Sequence, residues 1–148
     1  MFYFIMCMFL SAYSPKLLQK SAVIFLSHIP VKYLKAFIQP KNHKISWKNC
    51  AQIFIKIGYP KNSLYINDLL MWLKDMNWPG AEEIFDYLAQ MPKKDMMKYF
   101  ENALKNAISS KDEDWVYSLS CFYNKNFNEN DMLDKTILNE MKKIVNNY

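Results

Sequence analysis

The residues of this chain best equipped for specific chemistry lie in one short stretch. Leu69-Leu70-Met71-Trp72-Leu73-Lys74-Asp75-Met76-Asn77-Trp78-Pro79-Gly80-Ala81 sets two indoles on either side of a helix end, with a carboxylate and an amide between them. Aromatic rings supply contact area at low entropic cost, and Asp75 and Asn77 would orient a bound group by hydrogen bonds. Trp72, Asp75, Asn77 and Trp78 are therefore the candidate partner-binding residues, read as an exposed patch at the helix ends. The same residues also suit a helix-to-helix corner that needs no ligand. There Asp75 accepts from the amides opening the next helix, Asn77 caps it, Pro79 sits near its first position and Trp78 clamps the two helices.

Other groups capable of chemistry have simpler explanations. Glu82, Glu83 and Asp86 fall in the first turns of a helix, where the macrodipole favours negative charge without any acid–base role. Asp112-Glu113-Asp114 lacks the oxygen spacing of a calcium loop and reads as another helix start. Cys7, Cys50 and Cys121 are odd in number and scattered, with no C-x-x-C pair, and His28 and His43 are not at ligand spacing from them. Three reduced thiols are expected, with Cys50 and Cys121 packed as small apolar groups. Phosphate loops, dinucleotide fingerprints, zinc-protease pairs and nucleophile elbows are all missing. The expectation is a non-enzymatic protein with no cofactor and no metal.

The elements that must position these residues are bounded by composition. At 148 residues, 51% hydrophobic and 16% aromatic, the chain suits one globular domain that buries enough surface to fold without staples. Collagen-like, low-complexity and disordered classes are excluded, and two glycines argue against a large α/β enzyme. All nineteen basic residues are lysine. Arginine is the preferred residue for bidentate contacts to phosphate and guanine, so its absence weighs against nucleic acid as a partner. Residues 1–67 carry nine lysines and no acid, whereas the remainder carries ten lysines and fourteen acids. That asymmetry suits an N-terminal part facing a membrane or polyanion, or simply a solvated lysine face on a dipolar molecule.

Residues 1–13 are nearly all apolar but fall short of the roughly 20 needed to span a bilayer. They lack a positive leading region and a clean cleavage site. Four readings stand open for the segment: a pair of core-packing helices, a membrane-surface anchor, a degenerate signal, or leader ahead of a later start. From Pro30 onward helical spacing is regular. Tyr33, Leu34, Phe37 and Ile38 form a short helix, and Trp47, Cys50, Ala51, Phe54 and Ile57 a second, capped by Ser46 and closed by Gly58 in the left-handed αL conformation. Ile66, Leu69, Leu70, Leu73 and Met76 line a third, and Ala81, Ile84, Phe85, Leu88 and Ala89 a fourth. The spacing predicts a longer helix through Met96, Met97, Phe100, Ala103, Leu104, Ala107 and Ile108. Ser110-Lys111-Asp112-Glu113 fits a capping box for a helix with Trp115, Val116, Leu119 and Phe122. After a loop over Asn124–Asn130, a last helix carries Met132, Leu133, Ile137, Met141, Ile144 and Val145.

No strand alternation or hairpin signal interrupts the series. The expected fold class is all-α, a short HEAT/armadillo-like α-solenoid of stacked antiparallel helix pairs, with an irregular helical bundle as runner-up. Residues 1–37 would be an N-terminal extension, helical or membrane-associated, and residues 38–148 the HEAT-like domain.

The stretch from about Ile38 to Tyr123 resembles a bacterial family of short proteins, the domain of unknown function 5071 family. Its L-L-x-W-L-x-D-M-N-W-P-x-A hallmark is matched by Leu69, Leu70, Trp72, Leu73, Asp75, Met76, Asn77, Trp78, Pro79 and Ala81. Gly58-Tyr59-Pro60 is similar to its G-Y-P, and Asp114-Trp115 with Tyr117 to its D-x-W-x-Y-like element. The family usually carries Val where Gly80 stands, and acidic residues where residues 38–67 have none. The resemblance implies a HEAT-like helical fold and no established activity.

These readings lead to one expectation and one alternative. The expectation is a cytoplasmic, non-enzymatic interaction module of accessory or immunity type that grips a protein partner through Trp72, Asp75, Asn77 and Trp78. The alternative is a peripheral membrane protein held by residues 1–38, with Lys16, Lys20, Lys32 and Lys35 meeting anionic lipid.

Overall fold

A computed structural model describes residues 2–128 and 133–147, with side chains from Ile5 onward. Every regular element among these residues is helical. Helix α1 (Phe2–Phe9) and helix α2 (Lys16–Leu26) pack against each other, followed by a 3₁₀ segment over Val31–Phe37. Helix α3 spans Trp47–Ile57, α4 Ile66–Met71, α5 Ala81–Ala89, α6 Lys93–Ser109, α7 Glu113–Asn126 and α8 Lys135–Asn147. Packing runs chiefly between near neighbours in the chain: α1 on α2, α2 on α3, α3 on α5, α4 on α6, α6 on α7 and α7 on α8.

The helical stripes read from the sequence are largely the buried ones. Cys50, Ala51 and Phe54 of α3 are enclosed, joined by Ile53, and so are Ile84 and Leu88 of α5. Phe100, Leu104 and Ala107 of α6 meet Trp115, Leu119 and Phe122 of α7 in the same core. An aromatic cluster ties the C-terminal half together, with Phe100 stacked on Phe122 at 6.1 Å and Phe85 edge-on to Phe122 at 5.1 Å. Met141 anchors α8, and Leu133 is buried just ahead of it; Met132 and the end of the expected Asn124–Asn130 loop lie outside the described residues.

Several local expectations are corrected. The stripe from Ile66 to Met76 is not one helix. A 3₁₀ turn over Ser63–Tyr65 leads into α4, a second over Trp72–Lys74 follows it, and Met76 is partly exposed. Tyr33 points to solvent, and its segment is 3₁₀, with Leu34 and Phe37 buried. Gly58 has the positive φ expected of a helix terminator, but its ψ of 160° is extended, not left-handed helical. The capping box is displaced: Asp112 is the cap of α7, accepting from the Trp115 amide at 3.1 Å, while the Ser110 hydroxyl donates back to the Ala107 carbonyl. Cys121 is exposed, and Cys7 takes its place beside Cys50 among the buried thiols. Burial is the main influence pushing the Cys50 thiol above its ordinary value, with Cys7 adding to it.

The N-terminal pair is built into the core. Cys7, Leu10, Ala22 and Leu26 are buried in the cluster that holds Phe54 and Leu69. Polar bonds lock the joint with α3. Ser46, expected to cap α3 with its side chain, instead donates its hydroxyl to the Cys7 carbonyl at 3.2 Å. Asn49 Nδ2 donates to the Leu10 carbonyl and to Gln19 Oε1, both at 2.8 Å. The Ala12 amide donates to the Ile45 carbonyl at 3.0 Å.

Candidate functional site

The corner between α4 and α5 brings Trp72, Asp75, Asn77 and Trp78 together with a ring from a third element. Trp72 is wholly enclosed, and its Nε1 donates to the Pro79 carbonyl at 3.1 Å. Trp47, at the start of α3, lies edge-on to both other indoles, 6.2 Å from Trp72 and 5.3 Å from Trp78. Its own Nε1 donates to the Pro40 carbonyl at 3.1 Å. Two of the three indole N–H groups are thus committed to backbone carbonyls, as buried indoles require.

Asp75 Oδ1 accepts from the Asn77 amide at 2.8 Å, closing a turn ahead of α5, and the Trp78 amide donates to the Asp75 carbonyl. Neither Asn77 nor Pro79 holds the position expected of it, because the residue before α5 is Gly80, in the left-handed region at φ 91°. A Cβ at Gly80 would sit 2.8 Å from the Ala51 Cβ and 3.3 Å from the Trp47 carbonyl oxygen. At Gly80 the chain entering α5 thus runs too close to α3 for a side chain, and the bare backbone is a packing requirement as well as a conformational one. Asn77 is exposed, Trp78 and Asp75 are half-buried, and Met71 and Met76 are partly exposed.

The other groups singled out in the sequence are distributed among ion pairs and caps. Glu83 pairs with Lys48 at 2.6 Å, which raises the lysine's pKa first through that hydrogen bond, and Asp86 faces Lys125 at 3.6 Å. Lys74 spans the back of the corner, pairing with Asp112 at 2.8 Å and lying 4.4 Å above the Trp115 ring. Trp115 Nε1 in turn donates to the Leu70 carbonyl. Among the described residues no three His, Cys, Asp or Glu side chains gather as a metal set.

A second surface lies on the N-terminal pair. Helix α2 buries Gln19, Ala22 and Leu26 on one side. Leu17 and Ile24 lie on the opposite side and Leu18 and Phe25 along one flank, all exposed, with Leu17 76% exposed. Met8 and Phe9 of α1 and Tyr13 of the connecting turn add to the exposed apolar area. Lys16 and Lys20, one turn apart, edge this surface on the α3 side, where Lys56 stands across from them. None of the three lysines has a carboxylate within ion-pair distance among the described residues. Leucines and lysines of α2 are plain in the sequence, but which of its sides is covered is decided by the packing of α1 and α3 against it. No helix among the described residues is long and apolar enough to cross a membrane.

These features define an all-helical fold with an aromatic corner where α3, α4 and α5 meet and exposed apolar side chains and lysines on its N-terminal helix pair. The chain belongs to the DUF5071 family, a domain of unknown function, which it matches over residues 41–148. The match runs past Tyr123 to take in α8, and it begins after α1, α2 and the 3₁₀ segment. No curated protein and no solved structure matches the chain.

Proposed function

We propose that the protein is a non-enzymatic helical module that attaches peripherally to an anionic membrane surface, on its cytoplasmic side, through the outer face of α1 and α2. The observation that carries this reading is the exposed outer surface of α2, Leu17 and Ile24 on one line and Leu18 and Phe25 on the next, beside Lys16 and Lys20, in a stretch of 67 residues without one acid. Amphipathic helices of this kind lie in the interface plane, their apolar side chains inserted and their lysines near anionic headgroups. The rest of the chain would stand above the bilayer as a short solenoid. The near-neighbour order of helix packing supports that arrangement.

Flotation with phosphatidylcholine vesicles, with and without phosphatidylglycerol, tests the reading on the full chain. Binding is expected only with the anionic lipid and should weaken as salt rises. Leu17→Ser should lower it about tenfold, because an inserted leucine contributes roughly 1.5–3 kcal/mol when fully buried. Equal recovery with neutral vesicles, or an unaffected Leu17→Ser variant, would reject it.

A second reading is favoured by a separate observation: Met71, Met76, Asn77 and Trp78 leave an adaptable, partly apolar corner open beside Asp75. A protein partner would dock there, with Trp72 acting from beneath as support. Asn77→Ala, at an exposed side chain, should then weaken partner binding without lowering stability; an unchanged affinity would remove this reading.

A further inference from the structure

Between α2 and α3 runs an open groove of about 490 Å³. Its apolar wall is formed by Val23, Ile24 and Ile55, and Lys16, Lys20 and Lys56 stand at its rim. We infer that this groove is a binding site for one anionic phospholipid, with the headgroup phosphate held by the three lysines and the upper acyl chain laid along the apolar wall. The inference rests on the membrane reading, and adds to it a defined lipid site reaching onto α3.

Three features point to this occupant. The ammonium groups come from two helices, Lys16 and Lys20 from α2 and Lys56 from α3, and no acid among the described residues neutralises them. The polar groups deeper in the groove are already satisfied: Asn49 donates to Leu10 and Gln19, and Gln19 Nε2 donates to the carbonyls of Ser14 at 2.6 Å and Ala12 at 3.3 Å. The Gln52 amide, half-buried in the lining, is left to donate to a headgroup oxygen. Ile24 belongs both to the groove and to the exposed outer surface of α2, so the cavity opens onto the face that would meet the bilayer. A lipid with its phosphate at the rim and its chain on the wall satisfies both chemistries at once, which an inorganic anion cannot do.

The test is titration of the full-length, isotope-labelled protein with dihexanoyl-phosphatidylglycerol below its micelle concentration, followed by amide shifts. Shifts at Gln52, Ile55 and Lys56 on α3 together with Lys20 and Val23 on α2 are expected. Lys56→Gln, an exposed position that leaves the core intact, should weaken both this short-chain lipid and phosphatidylglycerol vesicles about fivefold. Inorganic phosphate shifting the same residues with equal affinity would overturn the inference in favour of a bare anion site. A glutamate-rich peptide outcompeting the lipid there would overturn it in favour of a protein partner. If vesicles bind normally, Lys56→Gln has no effect and α3 is silent, the groove inference falls and the membrane reading stands. If wild-type protein ignores anionic vesicles altogether, it is the membrane reading that falls.

Discussion

Two of the aromatic-rich regions of this molecule place their rings in opposite surroundings. At the corner of α3, α4 and α5, Trp47, Trp72 and Trp78 face one another, and two of the three indole N–H groups are bonded to backbone carbonyls. On the N-terminal pair, Tyr13 and Phe25 are more than half exposed and Phe9 partly so, beside leucines and lysines. The corner carries the most distinctive motif of the chain, and its enclosed half, Trp72 with its bond to the Pro79 carbonyl, holds helices together. The pair carries no motif, yet its apolar side chains and lysines are exposed. Distinctive residues therefore mark where a fold is demanding, and they need not coincide with the most exposed apolar surface.

The widest separation between the regions should come from truncating a large side chain in each. Trp72→Ala removes an enclosed ring and a hydrogen bond and should cost about 3–5 kcal/mol in a urea titration of the full chain. Leu17→Ser should lie within about 0.5 kcal/mol of wild type, since its side chain is already in water. A comparable loss in both variants would mean that the outer face of α2 is covered in solution, and the contrast would collapse.

A smaller effect sharpens what makes the corner demanding. Gly80→Val should destabilise by about 2–4 kcal/mol, combining a left-handed backbone with a Cβ driven against Ala51. Gly58→Ala meets only the backbone part, because the nearest atom to a Cβ there is the Ile55 carbonyl oxygen at 3.9 Å; about 1–2 kcal/mol is expected. Equal costs at the two glycines would show that α5 can back away from α3.

Much of the helical core is legible in the sequence. Periodicity located the inward faces of α3, α5, α6 and α7, because burial of Phe54, Ile84, Phe100 and Leu119 follows directly from helical spacing. What could not be read were the choices made by a third element. Ser46 has the chemistry of a helix cap, but the arrival of α1 offers its hydroxyl the Cys7 carbonyl instead. Asp112 takes the cap that Ser110 could have held, and from there it also meets Lys74, 38 residues away in the chain. Trp72 and Trp78 look alike in the sequence, and it is Trp47 from α3 that closes over the corner. Trp72, Asp75, Asn77 and Trp78 do lie together at one corner, but Trp72 is enclosed and not part of an exposed patch, and that division depended on long-range packing.

The smallest expected effect tests how far the two regions sense each other. Asp68, the first acid of the chain, is half-buried at the foot of α4, and burial raises its pKa above the ordinary 3.8 while Lys35 from the N-terminal region opposes the rise. A raised carboxyl pKa means that the folded state holds the proton more tightly than the unfolded chain. Its contribution to stability is therefore greatest below the unfolded pKa and declines as pH rises through the folded one. Asp68→Asn should accordingly raise the urea midpoint slightly at neutral pH, with the gain disappearing in acid, where wild type is protonated as well. Lys35→Gln should lower the neutral midpoint, and in the Asp68→Asn background that loss should vanish. A neutral-pH loss on Asp68→Asn would reverse the order of the two influences. It would make attraction to Lys35 stronger than desolvation, so that charge as well as packing would fasten the lysine-rich N-terminal region to the rest of the fold.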